Sequence, residues 1–263
     1  MNVNQKENRL GEVKFNNQGS LMKIIEYNNA NNIRIEFQDI YKTIIHTNYR
    51  CFSSGKPINP YCPSVFGIGV TGNKYPTQIN NKQTKEYRTW VNILERCFNK
   101  KHKEKHPTYK NVTCCDEWLY YENFYEWLHS QENFEKWYNG KRWAIDKDIL
   151  VKNSKVYSPE TCCLVPMNVN LLFTKCDIAR GDLPIGVSRN SVGTNIFRSI
   201  CRNPFTNKQE FLGDYKTPEG SFQAYKKRKE FYIKQVAQIE YSKGNIIKQC
   251  YEAMMEYEVE ITD

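Results

Sequence analysis

The chain has 263 residues, 40% of them hydrophobic and 14% aromatic, with 18 tyrosines; this is enough apolar material for packed cores and excludes global disorder. No apolar run approaches the roughly 20 residues that span a bilayer, and the polar start MNVNQKENRLG has no signal-peptide segment, so a protein kept in a cytoplasm, with no membrane partner, is expected. The net charge of +9 favours a polyanionic partner, and its distribution sharpens this: 177–245 carry twelve Lys and Arg against seven Asp and Glu, while 246–263 carry one against five.

In chain order, residues 9–76 alternate short apolar runs with turn signals. LMKIIEY, IRIEF and KTIIHTNY predict strands, and Ile33, Ile35 and Phe37 alternate with Arg34 and Glu36 in the period-2 pattern of a half-buried strand. SSGKPINPYCPS and GIGVTGNKYP are Gly- and Pro-rich and predict loops. A small β module with exposed Arg34, Lys42 and Arg50 suits phosphate contact or protein docking; the spacing does not separate the two.

From residue 84 the pattern becomes helical. Tyr87, Val91, Leu94 and Phe98 fall on one stripe of TKEYRTWVNILERCF, and Trp118, Phe124, Trp127 and Leu128 on one stripe of EWLYYENFYEWLHSQ, which makes them core residues. The intervening NKKHKEKHPTYK predicts a basic loop. Its HKEKH does not suit a zinc-protease helix, because Lys103 stands where the water-polarising glutamate must follow the first histidine. The ten cysteines include no C-x-x-C pair, so zinc is not expected and the thiols are read as small buried hydrophobes.

Residues 143–166, WAIDKDILVKNSKVYSPETCCLVP, predict two strands around a polar loop. In a regular strand Asp146 and Asp148 point to one face and Lys147 to the other. Two carboxylates so placed suit Mg²⁺, with Glu160 as a further ligand or base. Flanked by carboxylates, Lys147 stays protonated and is a poor base, but it suits a phosphate. The bland alternative is an exposed hairpin with paired charges.

Residues 183–241 predict three strands, LPIGVSRN, NIFRSICRN and KQEFLGDY, separated by turns containing Gly193 and Pro204. A helix follows, capped by Thr217 with Pro218 and Glu219 in its first turn. Phe222, Tyr225, Lys229, Tyr232 and Val236 share its sheet-facing side, with Lys229 snorkelling from the edge. One helix covers one sheet face, leaving Arg189, Arg198 and Arg202 on the other.

This third segment, through PIGVSR, NIFRSICR and EFLGDYKTPEGSFQAY, resembles the Apetala/ERF-type DNA-binding domain of plant transcription factors and phage homing-type endonucleases, over about 60 residues. The resemblance implies that Arg189, Arg198 and Arg202 contact bases or phosphates of double-stranded DNA. Residues 143–170 resemble an HNH-type nuclease core, a ββα-metal fold. That resemblance implies Asp146 as metal ligand, Asn153 in the loop, SPETCCLVP as second strand and Asn168 or Asn170 as helix ligand. The last two lie about 200° apart on a helix, so at most one faces a metal. Lys147 stands in the place of the family's general-base histidine. An HNH core followed by an Apetala/ERF-type module is a pairing found in phage proteins, which implies the cytoplasm of an infected bacterial host.

The expectation is therefore an α+β chain. It has a barrel-like N-terminal β module over 1–80 and a central helical region with a ββα core over 81–176. A three-stranded antiparallel sheet plus helix and an acidic tail make up 177–263. Its activity is Mg²⁺-dependent cleavage of DNA, with catalytically inactive, sequence-specific DNA binding as the alternative; no small-molecule cofactor is evident.

Overall fold

The computed structural model describes residues 9–174, 182–189 and 196–261. The fold is mixed α+β, 35% helix and 24% strand. The described residues pack as two compact units. One holds those up to Pro107 together with Asp116–Tyr125; the other holds Thr108–Cys115 and those from Glu126 onward.

In the first unit β1 (Val13–Phe15), β2 (Leu21–Asn29), β3 (Asn32–Phe37) and β4 (Ile44–Thr47) form an antiparallel meander in sequence order, and β5 (Gln78–Ile79) and β6 (Lys82–Gln83) a short hairpin. The alternation in β3 works as its sequence predicts. Ile33, Ile35 and Phe37 are fully buried with Met22, Ile24 and Phe52, the last from α1 (Tyr49–Ser53). Arg34 faces outward, opposite Glu26, and pairs with it at 3.2 Å, so its charge is met within the sheet. SSGKPINPYCPS and GIGVTGNKYP are largely irregular, apart from the end of α1 and an isolated bridge.

Two expectations in this unit are corrected. The helix α2 (Lys85–Phe98) forms under a Thr84 cap, but its buried residues are Glu86, Trp90, Ile93, Leu94 and Cys97; Tyr87, Val91 and Phe98 flank them. The turn of the helix is set by its largest side chain. Trp90 is fully buried against Tyr121 and donates Nε1–H to the Trp118 carbonyl at 2.7 Å. The expected basic loop begins with a helix, α3 (Lys100–Lys105), because the Asn99 side chain accepts the His102 N–H, and Lys and Glu propagate helix well. Trp118 and Phe124 are core residues, as their spacing predicts.

In the second unit β7 (Thr113–Cys114) pairs in parallel with β9 (Val156–Tyr157). α4 (Tyr121–His129), whose residues up to Tyr125 belong to the first unit, and α5 (Phe134–Asn139) lead to an antiparallel pair, β8 (Trp143–Asp146) with β10 (Cys163–Pro166), and then a single helical turn, α6 (Met167–Asn170). The strands β11 (Val187–Arg189), β12 (Phe197–Arg202) and β13 (Gln209–Tyr215) form a three-stranded antiparallel sheet, followed by α7 (Pro218–Ser242) and α8 (Lys248–Met255). Pro204 lies in the turn before β13, while Gly193 lies outside the described residues.

One hydrophobic cluster joins β10, α6, the three-stranded sheet, α7 and α8. Cys163, Val165 and Val169 from the β8–β10 pair and α6 join Phe197 and Cys201 from the sheet, Phe222, Ile233 and Val236 from α7, and Cys250 and Met254 from α8. Lys229 sits within the α7 face, and burial lowers the pKa of its ammonium. The acidic tail is anchored too. Val259 is buried, its N–H bonds to Glu230 and its carbonyl to Lys226, each at 2.8 Å, and Lys152 pairs with Glu260 at 3.2 Å.

The α7 cap is as its sequence predicts, with Thr217 Oγ1 accepting the Gly220 N–H at 3.1 Å. Thr217→Ala is expected to lower stability by about 1 kcal/mol in urea unfolding, and Thr217→Ser to leave it nearly unchanged. Equal loss in both variants would show that the cap bond contributes nothing.

Candidate nucleic-acid interface and the aspartate hairpin

The hairpin is built differently from a strand with two outward carboxylates. β8 ends at Asp146, whose Oδ1 accepts the N–H groups of Asp148 at 2.8 Å and Ile149 at 3.0 Å. That local bonding turns the chain out of the strand. Asp146 and Asp148 therefore do not share a strand face, which corrects the paired-ligand reading. Asp146 is 8% exposed, and burial, aided by the negative charge of Asp148, raises its carboxyl pKa to about 6 against the opposing pull of those two N–H groups and of Lys147.

Lys147 turns inward, and its side chain crosses the loop that its own residue opens. Its ammonium donates to both Asp148 oxygens at 2.9 and 2.8 Å and to the Ser154 carbonyl at 2.7 Å. These three acceptors match the three N–H donors of an ammonium. The phosphate contact expected of Lys147 would have to draw on an ammonium already engaged by Asp148 and Ser154.

The remaining predicted residues are dispersed. Asn153 is an exposed turn residue with φ of 61°, a left-handed conformation that asparagine tolerates. Glu160 is exposed, and the Ser158 hydroxyl holds its pKa low. The ladder pairs Asp146 with Cys163 and Trp143 with Pro166, so α6, starting at Met167, begins four residues, about 13 Å of strand, from Asp146. Asn168 donates its amide to Glu240 of α7 at 3.2 Å, and the Asn170 amide contacts the Met167 sulfur at 4.0 Å.

These bonds use Asp146 Oδ1, both Asp148 oxygens and the Asn168 amide nitrogen. Among the described residues no group of three or more His, Cys, Asp or Glu is placed to hold a metal. Cys97, Cys162, Cys163, Cys201 and Cys250 are buried, and burial pushes the Cys162 thiol up to about 12. Cys176 lies outside the described residues.

The sheet offers a different surface. Along β12, Phe197, Ser199 and Cys201 face α7, so Arg198, Ile200 and Arg202 face outward. The register sets Ser188 and Asp214 beside Arg198, Phe211 beside Ile200 and Gln209 beside Arg202. A bulge inserts Leu212 between Phe211 and Gly213, and Gly213 takes a φ of 133° there, a conformation that needs glycine. Phe211 is 59% exposed, and the Arg198 guanidinium lies 5.2 Å from its ring centre. Arg198 is also held two-pronged by Asp214 at 3.1 and 3.3 Å, and Arg202 donates to the Asn207 side chain at 2.9 Å.

Arg189 is a correction. It pairs with Phe197, so it belongs to the helix-facing register, and it lies exposed with its guanidinium 5.5 Å from that ring. Three residues of β11 set the parity, Val187 inward and Ser188 outward, and strand pairing is what reveals it. Sequence reasoning missed Gln209, Phe211 and Asp214, whose alternation in KQEFLGDY is interrupted by the bulge.

No family model, curated protein or solved structure matches the chain.

The Asp146 carboxyl yields a signed pH dependence. With a folded value of about 6 against an ordinary 3.8, the folded state holds the proton more tightly. The contribution to stability is fully present below pH 3.8 and is lost as pH rises through 6, a swing on the order of 3 kcal/mol. Asp146→Asn keeps the oxygen that accepts both N–H groups. It is expected to be more stable than wild type at pH 7.5 in urea unfolding, with the difference shrinking towards pH 4. A destabilised Asn variant at pH 7.5 would mean that the fold needs the ionised carboxylate.

Proposed function

We propose that the chain is a double-stranded DNA-binding protein that reads the major groove with the outer face of β11–β13, and that its hairpin keeps a ββα order without a preformed metal site. The observation that carries this reading is the outward set of half-buried Arg198 with exposed Arg202, Gln209 and Phe211, on the sheet face turned away from α7. Three strands about 4.8 Å apart are about 10 Å across, which suits a groove about 12 Å wide. Arginine forks match guanine edges and glutamine matches adenine, while an exposed phenylalanine packs on a thymine methyl or sugar. The Arg198–Asp214 pair is solvent-exposed, so opening it costs about 0–1 kcal/mol, and it orients the guanidinium before contact. The overall positive charge supplies the sequence-independent attraction.

A metal-dependent nuclease is the second reading, favoured by the strand–loop–strand–helix order of 143–170 with Asp146 at the loop's base. It requires Asp148 to leave Lys147 when DNA and Mg²⁺ arrive. Supercoiled plasmid incubated with the protein and Mg²⁺ or Mn²⁺ separates the readings. The first predicts intact plasmid; cleavage abolished by Asp146→Ala would establish the second.

Binding is tested by fluorescence anisotropy on duplex DNA over a salt series. Arg198→Ala and Arg202→Ala are each expected to weaken selected-site binding by about 1–3 kcal/mol, and Arg189→Ala by less. Affinity is expected to fall steeply as salt rises. Unchanged affinity in Arg198→Ala, Arg202→Ala and Phe211→Ala would remove the sheet face from the account.

A further inference from the structure

We infer that Lys147 is the resident cation of the 146–154 loop: its tethered ammonium holds the loop in the way a bound metal ion would, and the wild-type protein takes up no divalent ion there. This inference is independent of DNA binding.

The argument starts from burial. Lysine heads are almost never buried without partners, and Lys147 is 7% exposed. Its Nζ is surrounded by three oxygens at 2.7–2.9 Å, two from Asp148 and one from the Ser154 carbonyl. Carboxylate and carbonyl oxygens gathered from across a loop are the donor set that hard cations use, at 2.0–2.6 Å. Here the same oxygens stand at hydrogen-bond distance from a nitrogen. The chain supplies the charge itself, from the residue between the two aspartates.

The bonds close a ring. Ser154 lies seven residues beyond Lys147, so the ammonium ties the start of the loop to its end, just before β9. The Ser154 hydroxyl extends the tie by accepting the Val156 N–H at 3.2 Å. The Tyr157 ring, its centre 6.0 Å from Nζ, adds an aromatic wall. A divalent ion entering this space has to displace an ammonium that is covalently attached and already bonded to three oxygens. Tethering gives that ammonium a local concentration no free ion matches. The loop geometry is therefore set at folding and is independent of metal.

The role is positional, so the test needs readouts beyond stability. Lys147→Ala removes the propylammonium portion of the side chain. Its melting temperature is expected to fall by about 3–12 °C, as for charge-assisted hydrogen bonds lost beside a half-exposed carboxylate. n-Propylammonium chloride is expected to recover part of that loss, while equal ionic strength of sodium chloride, or n-propanol, does not. In parallel, Mn²⁺ titrated into wild type and into Asp148→Asn is followed by the electron paramagnetic resonance signal of free Mn²⁺. The two proteins are expected to deplete that signal equally. Uptake by wild type that Asp148→Asn abolishes would overturn the inference. So would a Lys147→Ala protein melting within about 2 °C of wild type, or rescue by propanol as effective as rescue by the amine. If Lys147→Ala does not fold, the Mn²⁺ arm on wild type and Asp148→Asn decides alone.

Discussion

The second unit depends on a single hydrophobic cluster that buries the β8–β10 pair, one face of the β11–β13 sheet and the inner sides of α7 and α8 together. A sheet with one face against such a cluster must turn its alternate residues to solvent. Phe197, Ser199 and Cys201 take the inside, so Arg198, Ile200 and Arg202 have only the outside left. α7, capped by Thr217 and packed through Phe222, Tyr225, Tyr232 and Val236, closes the inner face and leaves the outer one open. The positions of the outward cations thus follow from apolar burial. On the inner side, Glu210 is engaged by Tyr232 and Arg228, which keeps that carboxylate off the outer face.

The same cluster holds the hairpin, and there the charges are arranged in the opposite sense. On the sheet the arginines lie in water, with exposed partners that exchange readily. In the hairpin loop the charges are satisfied internally. Asp146 terminates a strand, and Lys147 and Asp148 neutralise one another beneath the loop. Removing Asp148 from this pair is the costlier change, because Lys147 is buried and its ammonium would keep only the Ser154 carbonyl of the three acceptors, whereas Asp148 is half-exposed. The loop therefore behaves as a fixed structural element, and the sheet face as an adaptable one. The proposed DNA-reading face is the adaptable element of the two, and the cleavage reading would require the hairpin to give up bonds it already has.

Much of the fold was legible because local signals and burial agreed. The alternation of Ile33, Ile35 and Phe37, the capping sequence at Thr217 and the three short C-terminal runs each point to one structure. What escaped depends on pairing or on a single large side chain. The parity of Arg189 is decided by its partner Phe197, and the bulge at Leu212 moves Asp214 beside Arg198. The buried stripe of α2 follows Trp90, which seeks the Trp118 carbonyl far away in sequence. The candidate site was the least legible part. Asp-Lys-Asp reads as two carboxylates on one face only while the strand continues, and Asp146 stops it by capping its own loop. The direction of Lys147 depends on the Ser154 carbonyl, a backbone group with no signature in side-chain sequence.

The central claim, that duplex DNA lies on the outer face of the sheet, is tested most directly by photocrosslinking. A benzophenone amino acid placed at Phe211, exposed on that face, is compared with one at Phe231, exposed on α7. The account predicts crosslinks to duplex DNA from position 211 and none above background from position 231. Efficient crosslinking from 231 with none from 211 would place the nucleic acid elsewhere and contradict it.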